Sequence, residues 1–86
     1  MYKIVYETAV VKSLQKLPKD AVRHFSEKIE LIARNPYASL PFVKRLKGSE
    51  DFRFRFGDYR AVYRVQSDVL TVVVLEVANR KDIYRR

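Results

Sequence analysis

Cysteine is absent from the 86 residues, and histidine occurs once, as His24. The first absence excludes disulfides and thiolate metal centres; the second argues against a histidine-ligated metal and against a serine–histidine–aspartate triad. Any catalysis must use other groups, so neither a metal nor a cofactor is expected. No run of about 18 apolar residues occurs, which excludes a membrane-spanning helix. The opening MYKIVYETAVVKSLQKL lacks a basic segment followed by a continuous apolar stretch, so it does not read as a secretion signal and a cytoplasmic location is expected. Repeats, low-complexity tracts and Gly/Ser linkers are also missing. With 48% hydrophobic residues the chain can build one compact core, and residues 1–86 are expected to form a single domain.

What the sequence has in excess is positive charge: 18 Lys and Arg against 10 Asp and Glu give +8. Such an imbalance favours a polyanionic partner, because each neutralised phosphate releases condensed counterions. RNA, DNA or an acidic protein would satisfy it. From Lys44 onward there are 11 basic and 6 acidic residues, against 7 and 4 before it, so the bias lies towards the C-terminal half.

Local pattern predicts the order β-α-α-β-β-β-β. Tyr2 to Tyr6 is rich in β-branched and aromatic residues and reads as a strand. Thr8 can cap a short helix carrying Val10, Leu14 and Leu17 at helical spacing, and Pro18 stops it and can occupy the first turn of the next. From Lys19 to Arg34 the residues Val22, Phe25, Ile29 and Ile32 form one apolar stripe, which Asn35-Pro36 ends. Val43 to Leu46 reads as a short basic edge strand closed by the Gly48-Ser49 turn. Phe52 to Phe56 and Tyr59 to Val65 form a hairpin around Gly57-Asp58, where glycine in the first loop position suits a type II′ turn. After a turn at Ser67-Asp68, the continuously apolar Leu70 to Ala78 reads as a central strand. The fold class is therefore α+β: an N-terminal strand and helical hairpin packed on a mainly antiparallel sheet of four to five strands.

The hairpin carries the candidate chemistry. A side-chain period of two puts Phe52, Phe54 and Phe56 on one face and Arg53 and Arg55 on the other. In the partner strand Tyr59, Ala61, Tyr63 and Val65 share the aromatic face, while Arg60, Val62 and Arg64 share the arginine face. A two-residue loop pairs Phe56 with Tyr59, Arg55 with Arg60 and Arg53 with Val62. A solvated sheet face is the ordinary explanation of such a stripe. It handles the direct Arg55–Arg60 pair poorly, since like charges opposite one another destabilise a sheet unless an anion sits between them. Arg64 lies farther along and fits the solvent reading best.

Lys44, Arg45 and Lys47 suit phosphate contacts, or equally the protection of an edge strand. Arg80 and Lys81 follow the apolar strand directly; Tyr84 reads as an aromatic lid or as a stacking or proton-transferring phenol, and Arg85 and Arg86 as a basic terminus. His24 reads as a helix-surface residue.

These segments together resemble the RelE/ParE superfamily of bacterial and archaeal toxins. The resemblance covers the strand-helix-helix start, the N-P before a basic strand, L-x-G at Leu46 to Gly48, D-F-R-F-R-F, G-D-Y-R-A-V-Y-R-V and the closing N-R-K-D-I-Y. Y-R-x-x-Y at Tyr59, Arg60 and Tyr63 marks the superfamily, and R-x-x-x-Y at Arg80 and Tyr84 is similar to its RNA-cleaving, RelE-like branch. That resemblance implies a ribosome-dependent, metal-independent endonuclease that cuts mRNA in the A site by attack of a ribose 2′-OH on the adjacent phosphate, and a cognate acidic, RelB-like antitoxin. It implies Arg60, Arg80 and Tyr84 as catalytic residues, with Lys44, Arg45, Lys47, Arg53, Arg55 and Lys81 contacting RNA phosphates. Where members of the branch can carry lysines, this chain has Arg53 and Arg55, whose guanidinium groups bind phosphate but cannot serve as bases near neutral pH. Tyr84 is then the first candidate for the base and Lys44 or Lys47 the second. Asn79 stands where many relatives have histidine. The resemblance also leaves open a ParE-like poison of DNA gyrase and an inactive RNA- or antitoxin-binding module.

Overall fold

A computed structural model describes residues 1–79. The elements run β1 (Lys3–Tyr6), α1 (Thr8–Gln15), α2 (Lys19–Arg34), β2 (Val43–Arg45), β3 (Phe52–Phe56), β4 (Tyr59–Gln66), a 3₁₀ turn (Ser67–Val69) and β5 (Thr71–Asn79). All strands join one sheet in the order β1-β5-β4-β3-β2, with β1 parallel to β5 and every other pair antiparallel. This is the expected α+β architecture, two helices on a five-stranded mixed sheet. The long apolar strand is interior, between β1 and β4, but the middle of the sheet is β4.

Helix boundaries differ from expectation by one residue. Glu7, not Thr8, is the N-cap of α1, and Pro18 is the N-cap of α2, just outside the first turn. Proline lacks the N–H that a helix interior needs, so the cap position suits it. Asp20 in the first turn of α2 and Arg34 in the last complement the helix dipole.

The apolar stripe of α2 lies on the aromatic face of the sheet. Phe25, Ile29 and Ile32 are buried with Val10 of α1 against Phe54, Phe56, Ala61, Tyr63, Val72, Val74 and Val77. The Phe25 ring centroid is 5.7 Å from that of Phe54 and 5.4 Å from that of Phe56. Burying each large side chain contributes roughly 1.5–3 kcal/mol and favourable ring pairs add about 0.5–1.5 kcal/mol. This packing covers the aromatic side of the β3–β4 hairpin, with the arginine side facing away from it. The covalent turn helps: Gly57 has φ +62° while Asp58 keeps a negative φ, the sense of a type II′ turn.

Two further links tie the connections down. The Tyr2 amide donates to the Ala33 carbonyl at 2.7 Å, and the Tyr37 hydroxyl bonds the Ser67 hydroxyl, fastening the segment after α2 to the β4–β5 turn. Among the described residues no helix is long and apolar enough to cross a membrane.

Candidate functional site

The register of the hairpin is the one that its two-residue loop dictates: Phe56 faces Tyr59, Arg55 faces Arg60 and Arg53 faces Val62. Lys44 of β2 faces Arg53, so it joins the same side of the sheet. These strands bring Lys44, Arg53, Arg55 and Arg60 to one cleft of about 240 Å³, completed by Pro41, Phe42 and Phe54. Four cationic side chains line it and, among the described residues, no carboxylate does. Drug-sized ligand sites run to about 300–1,000 Å³, so this space suits a phosphoryl group better than a whole organic ligand.

Within the cleft the arginines differ in freedom. Arg60 is 8% exposed and its Nε is cut off from solvent, whereas Arg53 is half-buried and Arg55 exposed. Buried Val62 flanks Arg60 on the same face of β4. The planar fork of a guanidinium matches two oxygens of a phosphate. Arg53 and Arg55 stand less buried around Arg60.

The other predicted binding residues separate. Strand alternation places Arg45 opposite Phe52, with its guanidinium 6.0 Å from the Phe52 ring and its Nε 3.3 Å from the Ser49 carbonyl. With Lys47 it lines a shallow depression formed by residues 45–50, apart from the Arg60 cleft. Arg64 is exposed and engages Asp51 through two hydrogen bonds of 2.7 and 3.2 Å, which hold its guanidinium above the ordinary arginine value. His24 is exposed on α2. Arg80, Lys81 and Tyr84 lie outside the described residues. Asn79, the last described residue, faces Tyr59, one position from Arg60 along β4.

Lys28 was not among the predicted site residues. Its ammonium donates to the Arg55 carbonyl at 2.6 Å and lies 5.0 Å from the centroid of the Phe42 ring. Burial, and then the Arg55 guanidinium, hold its pKa below the ordinary lysine value. The signal was its place three residues after Phe25 and four before Ile32, beside the buried stripe rather than opposite it.

The chain is similar to known proteins over almost its whole length. Residues 4–84 match the family model described as ParE toxin of type II toxin-antitoxin system, parDE. The toxin RelG of Mycobacterium tuberculosis is 34% identical over 90 residues, covering 99% of this chain and 98% of that protein. A chain of the archaeal RelE-RelB complex from Pyrococcus horikoshii superposes with a TM-score of 0.80 at 32% identity, over 92% of this chain and 94% of its own. The isolated Escherichia coli RelE toxin shares the fold, with a TM-score of 0.82 at 20% identity over 99% of this chain and 93% of its own. The family model carries the ParE name and these relatives the RelE name, and both fall within one superfamily. This chain belongs to the RelE/ParE superfamily and is a toxin of the type II toxin–antitoxin class.

Proposed function

We propose that this toxin is a ribosome-dependent mRNA endonuclease of the RelE kind. The observation that carries the reading is the convergence of Arg60, Arg53, Arg55 and Lys44 on one small cleft, with Arg60 buried and the others less so. In the reaction a ribose 2′-OH attacks the adjacent phosphate, the bond to the 5′-oxygen of the next nucleotide breaks, and a 2′,3′-cyclic phosphate and a 5′-OH result. A base removes the 2′-OH proton, an acid gives one to the leaving oxygen, and positive charge meets the equatorial oxygens. Arg60 supplies that charge; Arg53, Arg55 and Lys44 hold flanking phosphates. Arg80 and Tyr84 are assigned by the R-x-x-x-Y pattern, Arg80 to the scissile phosphate or leaving group and Tyr84 to stacking on or activating the nucleotide.

Arginine is a poor base, so the cleft binds and polarises better than it deprotonates. Ribosome dependence follows: alignment of the mRNA by the ribosome supplies rate that the toxin's own groups lack. Free RNA should be cut slowly.

The partner that restrains the toxin is an acidic antitoxin. RelE chains have been solved with RelB antitoxins, including the complex from P. horikoshii, and the +8 charge of this chain favours an acidic partner. The ParE name of the matching family model supports a second reading, a gyrase-directed toxin. Translation in vitro with primer extension of the mRNA separates the two. Discrete cuts that fade with Arg80→Ala and Tyr84→Ala support the endonuclease, while intact mRNA together with gyrase-linked DNA breaks overturns it.

A further inference from the structure

We propose that Lys28 is a positioning residue of the cleft: from α2 it grips the backbone of Arg55 and the ring of Phe42, and so fixes the two walls of the phosphate site relative to each other. This rests on the reading of that cleft as an RNA phosphate site. Phe42 and Arg55 both line the cleft, and the Arg55 amide donates to the Phe42 carbonyl at 3.3 Å. Beyond that bond, among the described residues, no strand pairs with β3 on the side away from β4, because β2 begins at Val43, which faces Phe54. In a two-residue hairpin Phe56 and Tyr59 exchange the hydrogen bonds, so the neighbouring Arg55 directs its N–H and C=O away from β4. The Arg55 carbonyl therefore points away from β4, where it accepts from the Lys28 ammonium at 2.6 Å.

Stability alone does not call for an ammonium here. The site is partly desolvated and beside Arg55, and both effects disfavour the charged form of Lys28. An apolar chain of similar length would pack on Phe42 without that cost. What the ammonium adds is a directional bond to the strand that carries Arg53 and Arg55, made across from the helical layer. The Arg55 side chain can then stand opposite Arg60 at a constant spacing even when no anion is bound.

The test uses the purified toxin, an mRNA-like oligoribonucleotide methylated at every 2′-oxygen so that it cannot be cut, and fluorescence anisotropy over a range of salt concentrations. Lys28→Met should weaken binding about fivefold or more, Lys28→Arg should stay within about twofold of wild type, and the melting temperature of Lys28→Met should change by no more than about 2 °C. The slope of log affinity against log salt should be unchanged in Lys28→Met. A slope reduced by about 0.7 would mean that Lys28 itself contacts a phosphate, which overturns a positioning role. Wild-type affinity in Lys28→Met, or a loss accompanied by a large fall in melting temperature, also overturns it. Arg53→Ala is the control: if it weakens binding and Lys28→Met does not, only this proposal fails. If wild type and Arg53→Ala bind equally, the cleft reading fails and takes the proposal with it.

Discussion

Arg60 and Arg64 stand four residues apart on one face of β4 and are treated oppositely by the fold. Arg60 is buried and lines the cleft with Lys44, Arg53 and Arg55; Arg64 is exposed and hydrogen-bonded to Asp51. Register accounts for the difference. Arg60 faces Arg55 across the hairpin, on the side of the sheet that Arg53 and Lys44 share. Arg64 lies past the hairpin's paired region, where the loop before β3 brings Asp51 to it. The same residue type on the same strand face is thus buried in the cationic cleft at one end and an exposed ion pair at the other. Composition and charge alone could not have told them apart.

The strongest way to break this contrast is to remove Arg60. Arg60→Ala should reduce ribosome-dependent mRNA cleavage at least about tenfold, as is usual for one oriented transition-state donor. Arg60→Lys, which keeps charge but loses the fork, should fall between, at roughly threefold to tenfold in single-turnover cleavage. Arg64→Ala should leave cleavage within about twofold of wild type and lower the melting temperature by no more than a few degrees, since exposed ion pairs contribute little. A large loss of cleavage in Arg64→Ala would erase the distinction.

Between the two arginines, Tyr63 points into the core and sharpens the comparison of the faces. It is 1% exposed, and burial pushes its phenol up to about 12 from 10.0. The neutral phenol is favoured in the folded protein, so its contribution is fully present below pH 10 and is lost as pH rises through about 12. Alkaline denaturation should therefore steepen between those values, and Tyr63→Phe should show a flatter loss over the same window.

Much of this was legible in sequence wherever the deciding contacts are local. The hairpin register followed from a two-residue loop, and the stripe Phe25, Ile29 and Ile32 marked the buried side of α2. Arg64 fitted the solvent reading for the same reason, its distance from the Arg55–Arg60 crossing. The parallel pairing of β1 with β5 and the central place of β4 depend on contacts between distant segments, which periodicity does not encode. Arg45 and Lys47 looked like one cluster with Lys44 until alternation along β2 turned Arg45 over Phe52. Lys28 escaped notice because its partner is a backbone carbonyl 27 residues away, a group that every residue carries.

The most direct test of the central claim is primer-extension mapping of an mRNA translated in vitro with wild-type toxin, Arg60→Ala or Arg64→Ala. Discrete cuts are expected with wild type and Arg64→Ala, and at least about tenfold fewer with Arg60→Ala. Uncut mRNA with all three proteins, or equal cutting by Arg60→Ala and wild type, would contradict the claim.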